Sequence, residues 1–302
     1  MNCRLTSLIV FLLILTGSSV FAQKHQALRT EIATIAGAAK GKVGVAIELL
    51  EDRDTLTLNS NARMVMQSVF KFPIAIAVLH QVDQGKLKLD QLLHITKADL
   101  PKNYSPLRDK YPEGDVDISI SELLSYMVSL SDNDVCDIFL NRVVSKAEVE
   151  GYMHSIGVKN MEIRASEAEM MASWPAQYTD WTTPAAMLQL LRISYTGNVL
   201  RPATRSFLWK IMEETSTAPK RMKGLLPAGT VTAHKTGTSS TNSSGLSPAT
   251  NDVGIITLPD GRHLSVVVFV TESYADAATR DLVVAKITRA AYDAFATTTK
   301  RP

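Results

Sequence analysis

The chain has 302 residues, 45% of them hydrophobic and 21% charged, with 32 Lys and Arg against 30 Asp and Glu for a net charge of +2. This is ordinary globular composition, and the length supports one large domain or two lobes with an ample core. Both signs of charge are mixed and no Lys/Arg-rich run occurs, so nucleic acid and anionic membrane surfaces are excluded as expected partners.

Residues 1–22 read as a signal peptide. Arg4 supplies a positive start, Leu8 to Leu15 is an apolar run too short to span a bilayer comfortably, and Val20-Phe21-Ala22 offers a cleavage site. The polar Gln23-Lys24-His25 that follows has no stop-transfer pattern, so no membrane anchor is expected after cleavage. Cleavage removes Cys3 and leaves Cys136 alone, which excludes an internal disulfide. Cys136 reads as a buried small hydrophobe rather than a nucleophile.

In the mature chain, Leu28, Ile32 and Ile35 recur at helical spacing, with Gly41 as a stop. Val43 to Leu50 and Thr55 to Leu58 read as strands joined by a polar turn at Glu51-Asp52-Arg53-Asp54. From residue 61 to 210 the pattern is helical. Ser68 starts an apolar helix through Phe72, Ile74, Ile76 and Val78, and Pro73 sits in its tolerated first turn. Ser119 and Glu122 spell a capping box before Leu123, Leu124, Met127 and Val128, and Thr183-Pro184 opens another helix. A further helix is expected from Ala203 to Glu214. Strands return at Thr230 to Thr236, Asp252 to Leu258 and His263 to Val270, the last two joined by Pro259-Asp260-Gly261. A final helix carries Leu282, Ile287, Ala291 and Phe295 on its apolar side. The order helix, strands, helices, strands, helix predicts an α/β fold of α+β type: an antiparallel sheet flanked by the terminal helices. Residues 23–60 and 211–302 would form that lobe, and 61–210 an inserted all-helical lobe.

Three short motifs occur in order: Ser68-Val69-Phe70-Lys71, Ser131-Asp132-Asn133 and Lys235-Thr236-Gly237. A Ser-x-x-Lys match is expected about once by chance in a chain of this length, the other two about a twentieth of a time each. Each alone reads as ordinary structure: a helix cap, a capping turn, a sheet-edge lysine. The ordered triple instead outlines a serine nucleophile. Helical spacing puts Lys71 on the same side as Ser68, one turn on, and a serine needs such a neighbour to take its proton. Ser131 is read as a proton carrier to a leaving nitrogen, Asn133 as a donor to a substrate amide that also touches Lys71, and Asp132 as a structural residue of the loop. Lys235 would attract a substrate carboxylate, and Gly237 would let a substrate lie close along the strand edge.

On these motifs the chain resembles the class A serine β-lactamases, over essentially the whole mature sequence. Glu167, in a long loop between helices, and Leu225-Leu226-Pro227-Ala228-Gly229 extend the likeness, which is greatest to extended-spectrum cephalosporin-hydrolysing members. The resemblance implies a serine β-lactamase/penicillin-binding-protein-like fold and attack by Ser68 on the β-lactam carbonyl. It also implies an oxyanion site at the backbone N–H groups of Ser68 and Thr238, with deacylation by a water that Glu167 activates. It leaves Lys71 or Glu167 as the acylation base. Thr236 and Gly237 would line the substrate strand, Tyr104 the substrate entrance, Arg221 would supply a second cation for the substrate carboxylate, and Thr238 a hydroxyl to it. No cofactor is expected, and the six histidines lack the clustered spacing of a zinc site. The expected partner is a small β-lactam, the expected state a monomer, and the expected location periplasmic or secreted.

Three positions depart from the family pattern. Met171 stands where an asparagine helps hold the hydrolytic water, and Ala165 where an arginine closes the loop, with Arg164 one place off. Asp180 stands where that arginine's partner would be, and Ala168 replaces the proline common after the glutamate. A rearranged loop backbone is therefore expected. Ser239 to Thr250 reads as a long polar link that widens the site. A DD-peptidase shares the three motifs, and a β-lactam sensor would acylate without turnover. Glu167 argues against the first, and the lack of spanning segments against the second.

Overall fold

The longest β-branched runs of the sequence lie side by side in a five-stranded antiparallel sheet. In a computed structural model, which describes residues 26–297, its order is β2 (Asp54–Leu58), β1 (Lys42–Leu49), β10 (His263–Ser273), β9 (Ser247–Thr257), β8 (Thr232–Thr238). The signal-peptide reading of residues 1–22 lies outside the described residues.

Alternation along the strands sorts side chains between two cores. Val43, Val45, Ile47 and Leu49 of β1 and Val266, Val268 and Val270 of β10 face one layer. There they meet Leu28 and Ile32 of α1 (26–37) and Val283, Val284, Ile287, Ala291 and Phe295 of α10 (Ala277–Ala296). Val267 and Phe269 of β10 and Val253 and Ile255 of β9 face the opposite layer. That layer is built on α2 (Lys71–Asp83), whose residues Lys71 to Leu79 are all buried. A helix apolar on every side must be central, and α2 packs against α4 (Ile120–Ser129), α5 (Asn133–Arg142), α6 (Lys146–Ser155) and α9 (Pro202–Glu213). The antiparallel α/β architecture with flanking terminal helices matches the fold expected from the sequence.

Several details differ. The 61–210 stretch is not all-helical: it holds β3 (Met64–Val65), β6 (Met161–Glu162) and β7 (Trp181–Thr182) in one small sheet, and the hairpin β4 (Leu92–Thr96)–β5 (Gly114–Ser119). These strands are too short, or too polar on one face, to stand out against the helical periodicity. The polar link after β8 is shorter than expected, because β9 begins at Ser247 and Ser239 N–H still donates to Ala249 O. Ser119 caps α4 by accepting from Glu122 N–H, but full capping boxes form instead at Ser145/Glu148 and Ser166/Glu169. Leu282 is exposed: five residues before Ile287, it stands about 140° round the helix from it. Among the described residues no helix is long and apolar enough to cross a membrane. Cys136 is free and buried, and burial pushes its thiol well above the ordinary range.

Candidate active site

The Ser68–Lys71 motif sits where the helical layer meets the edge strand. Gln67–Phe70 form a 3₁₀ turn that runs straight into α2 at Lys71. Gln67 adopts φ +45°, a left-handed conformation a non-glycine residue holds only when its surroundings fix it. Two anchors do so. Buried Asn251 of β9 donates Nδ2 to Val65 O and Met66 O at 2.8 and 2.9 Å, and Gln67 Nε2 donates to Gln177 Oε1 at 2.8 Å. Gly237 completes the seat. A Cβ there would lie 2.5 Å from Met66 O, so a bare glycine is what lets the turn at Gln67–Phe70 pack against β8.

Lys71 is fully buried, and its ammonium meets four acceptors within 3.0 Å: Asn133 Oδ1 at 2.5 Å, Glu167 Oε1 at 2.7 Å, Ser131 O at 2.8 Å and Ser68 Oγ at 3.0 Å, with Ser131 Oγ farther off at 3.5 Å. An ammonium has three hydrogens, so one acceptor must look elsewhere. Ser68 can, since its hydroxyl donates to Glu167 Oε1 at 3.2 Å. Three of the four residues read as catalytic, Ser68, Lys71 and Glu167, thus share one hydrogen-bonded cluster.

The fourth, Ser131, has φ +59°, which turns its carbonyl to Lys71 and its hydroxyl to the second lysine. Lys235 Nζ donates to Ser131 Oγ at 2.8 Å and to Thr236 O at 3.1 Å. Burial, then the charge of Lys71, holds the Lys235 ammonium well below its ordinary range. Asp132 is structural. It caps α5 by accepting from Val135 N–H, and its other oxygen accepts from Leu107 N–H and Ser105 Oγ. Asn133 has its Nδ2 on Asn103 Oδ1 at 3.0 Å and its backbone N–H on the Tyr104 carbonyl, which joins the 103–104 loop to the site.

Glu167 opens α7 (Glu167–Ala172), with Ser166 as cap. Its backbone is held from α5, where the two oxygens of Asp137 accept separately from Glu167 N–H at 2.8 Å and Ala168 N–H at 2.9 Å. Asp137 lies four residues after Asn133, and that helical spacing is the signal that could have marked it. The loop closes without an arginine–aspartate pair. Asp180 Oδ1 accepts from Arg164 N–H at 2.7 Å and Ala165 N–H at 2.8 Å, while the Arg164 side chain turns away to Glu150. Met171, a thioether with no amide to offer, is 60% exposed.

Two cavities meet at Ser68. One, about 380 Å³, is lined by Ser131, Thr217, Thr236 and Thr238 on the β8 side and by Tyr104 and Asn133 opposite. The other, about 500 Å³, runs past Glu167 between α7 and the turn after β8, where Met171, Trp174, Gln177 and Ser240 form its walls. Gln67, Trp174, Gln177 and Thr217 were not singled out from the sequence, because none belongs to a motif. Arg221 is not on either wall. It is buried behind β8, with Nε on Asp281 at 2.7 Å and Nη1 on the carbonyls of Gly237 and Asn251 at 3.0 and 3.1 Å. Among the described residues no group of His, Cys, Asp and Glu could hold a metal.

Known proteins share this arrangement along nearly the whole chain. The sequence model of the β-lactamase enzyme family matches residues 27–295. The extended-spectrum β-lactamase PER-1 of Pseudomonas aeruginosa is 40% identical over 283 residues, 93% of this chain and 92% of that protein. β-Lactamase VEB-1 of the same organism is 39% identical over 271 residues, 89% of this chain and 90% of that protein. The crystal structure of a β-lactamase from Chitinophaga pinensis superposes with a TM-score of 0.87 at 53% identity, covering 89% of this chain and 99% of that one. With the family model spanning the fold and relatives well above 30% identity along its length, the chain belongs to the class A β-lactamase family.

Proposed function

We propose that this protein hydrolyses penicillins and cephalosporins, extended-spectrum compounds among them, through an acyl-enzyme on Ser68. The observation that carries the reading is the placement of Ser68 Oγ within hydrogen-bond distance of both Lys71 Nζ, 3.0 Å, and Glu167 Oε1, 3.2 Å. A nucleophile needs an acceptor for its proton and an acyl-enzyme needs a base for water, and one carboxylate at this distance serves both.

In the first half, Ser68 Oγ attacks the β-lactam carbonyl and its proton passes to Glu167. Lys71, with its hydrogens on Ser131, Asn133 and Glu167, keeps the carboxylate and hydroxyl together. The backbone N–H groups of Ser68 and Thr238 receive the oxyanion, each donor worth roughly 3–4 kcal/mol in the transition state. When the C–N bond breaks, the nitrogen takes the Ser131 proton, and Lys235 Nζ, 2.8 Å from Ser131 Oγ, replaces it. A lysine whose pKa burial has lowered gives up a proton readily. The proton on Glu167 then passes through Lys71 and Ser131 to refill Lys235. In the second half, water attacks the ester, the freed Glu167 carboxylate takes its proton, and Ser68 leaves with that proton.

The volume of the second cavity, beside a wall of Met171 and Trp174, supports access for bulky acyl side chains, as does the likeness to PER-1. The reading of residues 1–22 as a signal peptide supports action in the periplasm or outside the cell.

Purified protein mixed with a chromogenic cephalosporin tests the reading. Many turnovers are expected. A stoichiometric burst that then stops would favour a DD-peptidase or a sensor and overturn it. Ser68→Ala should abolish acylation. Glu167→Ala should leave acylation to Lys71, 3.0 Å from Ser68 Oγ, and stall deacylation, so that a covalent adduct accumulates and is detectable by mass; unaltered steady turnover would remove Glu167 from deacylation.

A further inference from the structure

The first cavity has to receive a carboxylate, on the reading above, yet no charged side chain lines it. The anion would be met by hydroxyls, chiefly Ser131, Thr236 and Thr238. A hydroxyl has one hydrogen, and it serves an anion only if that hydrogen is not already spent on the protein. Ser131 meets this condition because Lys235 Nζ donates to its oxygen from behind, leaving the Ser131 hydrogen to point outward.

Thr236 has a neighbour in the same relation. Thr217 Oγ1 lies 2.6 Å from Thr236 Oγ1, so the two hydroxyls share a single hydrogen bond. Of its two directions, only donation from Thr217 to Thr236 leaves the Thr236 hydrogen free for the cavity, and chained hydroxyls strengthen one another in that sense. The backbone holds Thr217 to the task. Thr215 Oγ1 donates to His234 O at 2.7 Å, Ser216 N–H donates to Ser129 O at 3.2 Å, and Arg221 N–H donates to Ala218 O at 3.1 Å. Ala218, next to Thr217, is held at φ +45°, an unfavourable conformation for a residue with a Cβ and a mark of a site fixed by its surroundings.

We propose that Thr217 is a positioning residue for substrate binding: its hydroxyl donates to Thr236 and so turns the Thr236 hydrogen toward the β-lactam carboxylate. It stands to Thr236 as Lys235 stands to Ser131. The proposal rests on the β-lactamase reading of the site.

The test pairs a variant with a substrate change. Thr217→Val keeps the shape and removes the donor; benzylpenicillin is compared with its methyl ester, which lacks the charge. For benzylpenicillin, kcat/KM should fall about ten- to a hundredfold, carried by KM, which is the loss of one hydrogen bond to an anion. For the ester it should stay within about twofold, and Thr217→Ser should restore the benzylpenicillin value. Equal kcat/KM in variant and wild type for benzylpenicillin, or an equal fall for both substrates, would overturn the role of Thr217 alone. Absence of turnover in the wild type would overturn the β-lactamase reading and this proposal together.

Discussion

Replacing Asp180 with asparagine is expected to raise stability relative to wild type as the pH rises, opposite to what an ion-paired loop aspartate would do. Asp180 is fully buried, and only one of its oxygens is used: Oδ1 accepts both Arg164 N–H and Ala165 N–H, while Oδ2 has no partner. Burial pushes its carboxyl from 3.8 up to about 7, against the lowering effect of those two bonds. Between those values the native state keeps a proton that the unfolded chain has released. The contribution of Asp180 to stability is therefore full below about pH 4 and is lost as the pH climbs through about 7. At about 1.36 kcal/mol per pH unit, the handicap is roughly 1.5 kcal/mol at pH 5 and about 4 kcal/mol at pH 8. Asparagine keeps Oδ1 and both N–H bonds, and sets an uncharged amide nitrogen where the unpaired oxygen stood. The cost of that unpaired nitrogen, about 1–3 kcal/mol, is the same at every pH. The difference in unfolding free energy between Asp180→Asn and wild type should thus move in favour of the variant by roughly 2–3 kcal/mol from pH 5 to pH 8. Denaturant unfolding at the two pH values measures it, and parallel stability curves for the two proteins would refute the reasoning.

Asp137→Asn should lower kcat about ten- to a hundredfold, because an amide accepts only one of the two N–H groups that fix Glu167 and Ala168, and a bond to a charged acceptor is worth about 1.5–3 kcal/mol. Single-turnover kinetics would show it, and a kcat within twofold of wild type would remove Asp137 from the support of Glu167. Arg221→Ala should cost about 2–4 kcal/mol in unfolding, since it strips the donor from two buried carbonyls and from Asp281 together. Arg221→Lys should recover little of this, lacking the fork that spans all three. Met171→Asn should change stability by less than about 0.5 kcal/mol, as an exposed side chain with no bonds is being exchanged. If Glu167 and its backbone anchors suffice to hold the hydrolytic water, kcat for benzylpenicillin should also change less than about threefold on a scale where tenfold is 1.36 kcal/mol.

Much of the site was legible because its chemistry lies in side chains whose spacing is local. Ser68 and Lys71 are one helical turn apart, so their contact follows from three-residue spacing. Ser131, Asp132 and Asn133 are a capping sequence as well as a chemical one, and Asp132 performs the cap while its neighbours face Lys71 and Lys235. The sheet was legible for the same reason, since period-two alternation sorts the valines of β10 between two cores and puts those of β1 in one. Helix faces were less so: Leu282 is as apolar as its neighbours, and only the phase of packing against the sheet decides that it is left outside.

Two of the residues that escaped notice bond to backbone. Asn251 and Asp137 each accept from or donate to main-chain groups far along the chain, and any segment supplies such groups, so no partner residue type marks them. The same point explains how the 164–180 loop tolerates its departures from the family pattern. An arginine–aspartate pair needs two particular residues in register, and with Arg164 shifted one place that register is lost. A carboxylate that accepts two N–H groups needs only one. Asp180 can close the loop over Ala165 because the backbone donors remain when the arginine does not. The consequence falls on its charge, which the lost guanidinium no longer offsets, and that is why the pH dependence of Asp180→Asn separates the two kinds of closure.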